Sequence, residues 1–342
     1  MSPKRRKVKQ GESWQERKHQ RHDFGPLKSL IISRQMLRRY SAAVDLFRRV
    51  CVCFLPQLDC SDMNEVDAAL RLFLELSWEE GEPLSLAGDA ICGVQHSLNR
   101  RRVFPGAWRY YGAWARHELP SRTPPLHPLV LLGVAGSFLA AGRLDGAVTV
   151  LLAFHCLLRT GEALSACQNH MTWSRPGSRG VLALPLTKSG QRSGTPECVT
   201  VVDPLVAALL FLHLQMLPAG AAIWTGTAQE FRDEFRRHLG AVHVNGNFFL
   251  PYCLRRGGAT NHFVEFHHLQ STQLRGRWNS FRACQLYVVS GQRELAEADL
   301  SPATKVACVA YAQKLREFLV PRVRALFGAR AAKAFLASLP PP

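Results

Sequence analysis

"LRGRWNSFRACQLYV", residues 274–288, says most about the fold, because it sets Trp278 nine residues (287 − 278) before Tyr287. A second stretch, "YCLRRGGATNHF" (252–263), carries the adjacent arginines Arg255 and Arg256. Taken alone, a tryptophan after Gly-Arg or a tyrosine in "CQLYVV" would be read as an aromatic residue packed in the hydrophobic core. The interpretation therefore depends on which other polar residues precede them, and in what order.

The chain carries a strong positive charge. Its 342 residues are enough for two domains at roughly 100–200 residues per domain. Lys and Arg number 43 against 26 Asp and Glu, a net charge of +17, and 47% of the residues are hydrophobic. This balance indicates a largely globular protein with a polyanionic partner, nucleic acid before an anionic membrane surface. The plain alternative is a basic soluble protein.

Membrane insertion, secretion and metal binding find no support in the sequence. The most apolar run, "HPLVLLGVAGSFLAAG" (127–142), falls short of the about 20 residues that a spanning helix needs, so we expect a buried helix there. The N-terminus has no apolar signal region, which predicts that the protein is not secreted. The ten cysteines are scattered without ligand spacing, which predicts reduced, buried thiols and no metal site.

Composition divides the chain into four segments. Residues 1–25 are polar and basic, and we expect this tail to be disordered in isolation. Its run "PKRRKVK" (3–9) resembles a nuclear import signal, which makes nuclear localisation a hypothesis; a nucleic-acid-binding arm or a solvated tail fits the same composition. Residues 26–120 have helical periodicity and end in a proline-rich linker, residues 125–300 form a second domain, and a helical tail fills 301–342.

One part of the second domain predicts β-structure. The segment 180–203, "GVLALPLTKSGQRSGTPECVTVVD", has two β-prone runs around a polar turn rich in Gly and Ser, which is typical of a hairpin. Lys188 lies at the tip of this predicted hairpin. Two helical runs, 129–142 and 145–158, precede it and lead into "RTGEALSA", which begins at Arg159.

In chain order, Arg159, Lys188, Arg255, Trp278 and Tyr287 resemble the active-site set of the tyrosine recombinase (phage integrase) family. That family's order is Arg, Lys on a β-hairpin, His-x-x-Arg, His or Trp, and Tyr. The resemblance covers roughly residues 30–295 and implies a mainly α fold with a small β-hairpin or sheet. It implies a helical N-terminal core-binding (SAM-like) domain and a catalytic domain with the DNA breaking-rejoining fold. The "LRRGGAT" and "GRW" boxes look most like recombinases of eukaryotic mobile elements.

The chemistry of these side chains suits the cleavage of DNA. The phenol of Tyr287 can attack phosphorus and form a 3′-phosphotyrosyl bond. Arg159 and Arg255 can bind the non-bridging oxygens and stabilise the charge that develops in the transition state. Lys188 can donate a proton to the leaving 5′ oxygen, whereas the indole N–H of Trp278 can donate only a hydrogen bond. This scheme requires neither a metal nor another cofactor.

The chain departs from the family pattern at both usual histidine positions. Tyr252 stands three residues before Arg255 (255 − 252), and Trp278 takes the other position. Tyr252 can hydrogen-bond Tyr287 or the phosphate, but a phenol is a weak base at neutral pH. The general base therefore stays unassigned. The histidines that could replace it are His262, His267 and His268.

Other charged residues are expected to support this site. Glu162, three residues after Arg159, is expected to orient an arginine, with a structural ion pair as the plain alternative. Arginines interleaved with apolar positions are expected to contact phosphates, against the alternative of a solvated basic face. The expected DNA contacts are Arg38, Arg39, Arg100, Arg101, Arg102, Arg192, Arg256 and Arg277.

The sequence thus predicts a DNA recombinase that acts on double-stranded DNA and assembles on it as a homo-oligomer, with no membrane partner and no small-molecule substrate. A catalytically decayed or domesticated DNA-binding protein is the first alternative. A type IB topoisomerase-like enzyme is the second, and a basic helical protein that binds RNA or a protein partner is the third. A covalent adduct with DNA separates the enzymes from the others, and relaxation of supercoils separates the two enzymes.

Overall fold

The chain divides into two compact units, Met1–Ser121 and Arg122–Pro342. The computed structural model describes residues 13–22, 26–27, 31–99, 103–118, 122–185, 187, 197–289, 291, 294 and 299–338. Several residues that the sequence singled out lie outside the described residues. These are the run 3–9, Arg100, Arg101, Arg102, Lys188 and Arg192.

The described part of the first unit is helical. Its helices are α1 (Trp14–His22), α2 (Arg34–Phe54), α3 (Met63–Glu79), α4 (Leu84–Ser97) and α5 (Pro105–His117). Two of them begin where the sequence supplies a capping side chain. Ser33 accepts a hydrogen bond from the N–H of Met36 at the start of α2, and Asp62 accepts one from the N–H of Asn64 at the start of α3.

The apolar faces of α2 to α5 form one core. Phe47 and Phe73 meet edge to face in it, with ring centroids 5.7 Å apart. Asp67 of α3 accepts hydrogen bonds from the N–H groups of Gly106 and Ala107, at 2.9 and 2.8 Å. The carboxylate therefore caps α5 from a neighbouring helix and fixes where that helix begins.

The second unit consists of helices and a small sheet. Its helices are α6 (Pro128–Ala140), α7 (Leu144–His155), α8 (Thr160–Leu164), α9 (Pro204–Gln215), α10 (Ala228–Ala241), α11 (Tyr252–Phe266), α12 (Leu269–Gly276), α13 (Phe281–Gln285) and α14 (Pro302–Ser338). Its strands are β1 (Met171–Arg175), β2 (Arg179–Leu184) and β3 (Glu197–Val201), antiparallel in the order β1-β2-β3. The predicted fold class, mainly α with a small β-sheet, is confirmed.

Strand β2 lies at the centre of the sheet. It buries alternate residues, and its Leu182 pairs with Met171 on one side and Val199 on the other. Strands β2 and β3 fall within the segment predicted to be a hairpin. The sequence did not predict β1, because "MTWSR" lacks a clear apolar alternation; its pairing with β2 is what makes it a strand.

Helix α14 packs along α6 and closes the core of the second unit. The approach is close enough to require glycine: a Cβ at Gly136 would lie 2.0 Å from the carbonyl oxygen of Tyr311. Most residues of α6 are buried, which accounts for a helix that is apolar on nearly every side, as expected for the run 127–142. The segment 301–342, expected as a tail, thus contributes its described helix to the core. No helix in the described part of the chain is long and apolar enough to cross a membrane.

Substituting Gly136 tests this packing. We expect Gly136→Ala to lower the free energy of unfolding by about 1–3 kcal/mol, because the new methyl meets the backbone of α14. Urea unfolding followed by circular dichroism measures the change. Gly240→Ala in α10 is the matched control, because nothing lies within 4 Å of its added methyl and alanine favours a helix by about 0.5–1 kcal/mol. Equal stabilities of the two variants would contradict the packing of α14 on α6.

Candidate active site

Arg159 and Glu162 close the first turn of α8. Arg159 is the N-cap residue and has an extended backbone. The Glu162 carboxylate accepts hydrogen bonds from the Arg159 backbone N–H at 2.9 Å and from its Nη1 at 2.5 Å. The Glu162 side chain is buried, whereas that of Arg159 is 28% exposed. The R-x-x-E spacing therefore places the Arg159 guanidinium at the edge of the buried region, where the buried Glu162 carboxylate holds it.

Arg255 is the most deeply buried charge of the site. Its side chain is 0% exposed, and it donates hydrogen bonds to the carbonyl oxygens of Leu157 at 2.5 Å and Gly276 at 2.6 Å. Burial, followed by the charge of Arg159, lowers the pKa of Arg255 to about 10, so it stays charged at neutral pH. Arg255 therefore joins α11 to the end of α7 and to the end of α12.

The glycines after the arginine pair allow this burial. A Cβ at Gly258 would lie 2.0 Å from the carbonyl oxygen of Phe154. Only a residue without a side chain lets α11 approach α7 so closely. The "RRGG" sequence thus has a packing reason: it brings Arg255 within reach of the Leu157 carbonyl.

Tyr287 lies just beyond α13 and packs against a small hydrophobic cluster that is separate from the main core of the second unit. Ser280 caps α13, and the backbone N–H of Tyr287 bonds to the carbonyl oxygen of Cys284 at 2.9 Å. Thr260 of α11 donates from Oγ1 to the Tyr287 carbonyl oxygen at 3.0 Å. The ring is half-buried against Trp278, with centroids 4.5 Å apart. Thr260 is a positioning contact that the sequence did not predict, although the "GGAT" box contains it.

The hydroxyl of Tyr287 is hydrogen-bonded to the hydroxyl of Tyr252. Burial raises the pKa of Tyr252 well above its usual range, and the bond to Tyr287 adds to the rise. Burial also acts to raise the pKa of Tyr287, but the bond from Tyr252 and the positive charge of Arg255 outweigh it, so the net shift is downward. The opposite directions of the two pKa shifts make Tyr287 the first of the two phenols to ionise, and Tyr252 is then the hydrogen-bond donor to its phenolate.

Trp278 and Arg255 complete the surroundings of the phenol. The Arg255 guanidinium carbon lies 4.7 Å from the centroid of the Trp278 ring and 5.5 Å from that of Tyr287. Trp278 is buried. Its indole N–H is near enough to favour the ionised form of Tyr287, but it does not meet the geometry of a hydrogen bond within the described structure. The buried indole N–H beside Tyr287 therefore remains available to a further acceptor.

Two arginines expected to contact DNA lie in buried positions. Arg277 forms ion pairs with Glu162 at 2.5 Å and with Glu197 of β3 at 3.1 Å, and its side chain is 9% exposed. Arg256 is also buried, and desolvation together with the charge of Arg122 lowers its pKa. Both guanidinium groups therefore face the protein interior in this structure.

The other expected contacts lie elsewhere. In the first unit Arg38 is exposed, and Arg39 pairs with Asp89 at 2.7 Å. Among the histidines, His262 shares a hydrogen bond with Thr272 at 2.9 Å, and His268 caps α12. No described hydrogen bond joins His262, His267 or His268 to Tyr287. In the described part of the chain, then, the hydroxyl partner of Tyr287 is Tyr252.

Removing the Tyr252 hydroxyl tests this electrostatic arrangement. We expect Tyr252→Phe to raise the pKa of Tyr287 toward its ordinary value of about 10, because the phenolate loses its donor. The phenolate absorbance near 295 nm, taken as the difference from the same protein carrying Tyr287→Phe, isolates this titration. The exposed Tyr110 supplies the control, Tyr110→Phe. An unchanged Tyr287 midpoint in Tyr252→Phe would show that the two hydroxyls are not coupled.

Comparison with known proteins matches the chain by structure alone. No protein-family model and no curated protein matches the sequence. A structure of the XerH site-specific recombinase bound to palindromic difH substrate, a post-cleavage complex, matches with a TM-score of 0.55 at 14% identity, over 76% of this chain and 78% of that one. A lambda integrase dimer bound to a COC′ core site matches with a TM-score of 0.54 at 15% identity, over 78% of this chain and 75% of that one. The chain has the fold of the tyrosine recombinases.

Proposed function

We propose that the protein breaks and rejoins DNA strands as a tyrosine recombinase, with Tyr287 as the nucleophile. The observation that carries the proposal is the set of groups around one phenol. Tyr252 hydrogen-bonds the Tyr287 hydroxyl, Trp278 packs against its ring at a tilt of 45°, and the Arg255 cation lies 5.5 Å from the ring centroid. Tyr252 and Arg255 lie on α11, whereas Trp278 follows α12 and Tyr287 follows α13, so three successive helix ends bring these groups to one phenol.

The proposed reaction exchanges one ester for another. Tyr287 loses its proton to water, its oxygen forms a bond to phosphorus, and the bond from phosphorus to the 5′ oxygen breaks. Lys188, on sequence grounds, supplies the proton to the leaving 5′ oxygen. The product is a 3′-phosphotyrosyl bond and a free 5′-hydroxyl, and attack by a second 5′-hydroxyl reverses the step. Each step forms one phosphoester bond for the one that it breaks, so the reaction needs no external energy source.

The arginines have different parts in this proposal. Arg159 is partly exposed and can bind a non-bridging oxygen directly. Arg255 is fully buried and uses two of its nitrogen atoms on backbone carbonyls, so it offers the phosphate its positive charge and no direct contact. Stabilisation of the transition state would thus come from one direct contact and one fixed charge.

A DNA-binding protein that has lost catalysis is the second candidate. Two observations favour it: Arg255 is fully buried on carbonyl oxygens, and neither usual histidine position holds a histidine. Such a protein would bind DNA with strong salt dependence, as its net charge of +17 suggests, and would form no covalent adduct.

We also propose the partner, the assembly on DNA and the cellular location of the protein. Double-stranded DNA is the partner that the charge and the proposed site both suit, and strand exchange between two duplexes would need several protomers on it. The run 3–9 would direct the protein to the nucleus, which a fluorescent fusion with its four Lys and Arg residues from Lys4 to Lys7 changed to Ala would test. Origin in a eukaryotic mobile element remains a hypothesis from the "LRRGGAT" and "GRW" boxes.

A suicide-substrate trap tests the proposed activity. Nicked duplexes tiled across the DNA that flanks the gene would be mixed with the protein, because loss of the cut strand makes cleavage irreversible. We expect an SDS-resistant protein–DNA adduct that Tyr287→Phe abolishes and Tyr110→Phe leaves intact. Arg159→Ala should slow its formation by about 10²–10³-fold, the usual effect of losing one charge-stabilising group.

The outcomes separate the candidate functions. Salt-sensitive binding to these duplexes without an adduct favours the DNA-binding protein. An adduct together with processive relaxation of a supercoiled plasmid by monomeric protein favours a topoisomerase. An adduct that survives Tyr287→Phe would refute the assignment of the nucleophile.

A further inference from the structure

Arg277 occupies a backbone position that disfavours an arginine. It is the C-cap of α12, with φ at 58°, in the left-handed region that favours glycine. The turn is held by other groups: the Trp278 N–H bonds to the Gln273 carbonyl oxygen at 3.1 Å, and the Gln273 side chain donates to the Trp278 carbonyl oxygen at 2.9 Å. The turn therefore does not need the Arg277 side chain, and some other interaction has to offset the strain.

The Arg277 side chain bridges two carboxylates on different elements. Its Nη2 lies 2.5 Å from Oε2 of Glu162 in α8, and its Nε lies 3.1 Å from Oε2 of Glu197 at the start of β3. The same Glu162 carboxylate holds Nη1 of Arg159 at 2.5 Å. One guanidinium thus links the turn that carries Trp278, the carboxylate beneath Arg159, and the edge of the sheet.

Charge and burial distinguish this bridge from a DNA contact. The Arg277 side chain is 9% exposed, so the group does not face solvent. Its Nη1 and Nε are both buried without a hydrogen-bond partner in the described structure, so the 3.1 Å contact of Nε with Glu197 is an ion pair that lacks hydrogen-bond geometry. The cluster contains Arg159, Arg255 and Arg277 with Glu162 and Glu197, a net charge of 3 − 2 = +1. Removing Arg277 alone would leave two cations against two carboxylates.

We propose that Arg277 is a positioning residue that fixes Glu162, and through it Arg159, relative to the turn carrying Trp278, with Glu197 as its anchor. The proposal rests on the proposed function, since the groups so positioned are those around Tyr287. It differs from a phosphate contact, because Arg277 would act through its two carboxylates without touching DNA.

Two conservative substitutions test the bridge from its two ends. Arg277→Lys keeps the charge but cannot reach both carboxylates with a planar fork. Glu197→Gln keeps the shape of the anchor but removes its charge and raises the net charge of the cluster to 3 − 1 = +2. Arg282→Lys, at an exposed position of α13, is the matched control. Circular dichroism and thermal melting of each variant would establish that it is folded.

The rate of adduct formation and the affinity for DNA are measured separately on the same nicked duplexes. We expect both Arg277→Lys and Glu197→Gln to slow adduct formation by about 10–10²-fold at unchanged affinity, because misplaced catalytic groups cost rate more than binding. If Arg277 acted through its charge alone, Glu197→Gln would speed adduct formation, because the added net positive charge would stabilise the phosphate in the transition state. A rate for Arg277→Lys equal to wild type, or a loss of DNA affinity that accounts for the slower rate, would overturn the proposal.

The titration of Tyr287 in the free protein gives a readout that does not depend on DNA. If the bridge positions Arg159 and Trp278, both variants should raise the pKa of Tyr287, because the groups that favour its phenolate move away. If only charge matters, Glu197→Gln should lower it. Absence of an adduct with the wild-type protein would refute the proposed function, while the direction of this shift would still decide the role of Arg277. Should Arg277→Lys fail to fold, Glu197→Gln carries the test alone.

Discussion

The Arg255 guanidinium is the group on which the second unit's functional region depends. It is buried where charge is costly, by several kcal/mol for an unpaired ion. It satisfies the carbonyls of Leu157 and Gly276, each of which would cost about 1–3 kcal/mol if left buried without a donor. Leu157 itself has a positive φ of 49°, an unfavourable conformation for a leucine. The cation and the carbonyl oxygens stabilise each other, and together they fix the ends of α7 and α12 against α11.

The same cation also governs the chemistry of the phenol. Trp278 covers one side of the guanidinium at 4.7 Å, and Tyr287 lies beyond it at 5.5 Å. Because Arg255 and Trp278 are buried, water screens this charge less on the inner side of the half-buried Tyr287 ring. Structural and chemical roles are therefore not separable at Arg255: a substitution there would release two carbonyls and remove the charge that lowers the pKa of Tyr287.

The order of the residues in the sequence predicted the fold class and which side chains lie near Tyr287. It did not predict the surroundings of each side chain. Helical periodicity and one hairpin signal agreed with the fold class that the family resemblance implied, while β1 was missed because its strand character comes from pairing with β2. Arg159, Arg255, Trp278 and Tyr287 stand in a recognisable order, so their proximity could be anticipated. The contacts of Arg277 could not be anticipated, because Glu197 lies 80 residues away in the sequence (277 − 197) and only the folded chain brings the two side chains together.

The surroundings of Tyr252 were likewise not predictable from the sequence, and they bear on how Tyr287 would be activated in the proposed reaction. A histidine at this position could accept a proton near neutral pH, whereas the phenol of Tyr252, with its raised pKa, cannot. Forming a phenolate of ordinary pKa 10 at pH 7 costs about 4 kcal/mol, three units at 1.36 kcal/mol each. Tyr252 and Arg255 reduce that cost by stabilising the phenolate, and a phosphate anion arriving beside it would raise the cost again unless Arg159 balances the added charge. Activation in this site would thus depend on stabilising the ionised nucleophile, and the reactive fraction should grow with pH until Tyr287 itself has titrated, with no plateau set by a histidine.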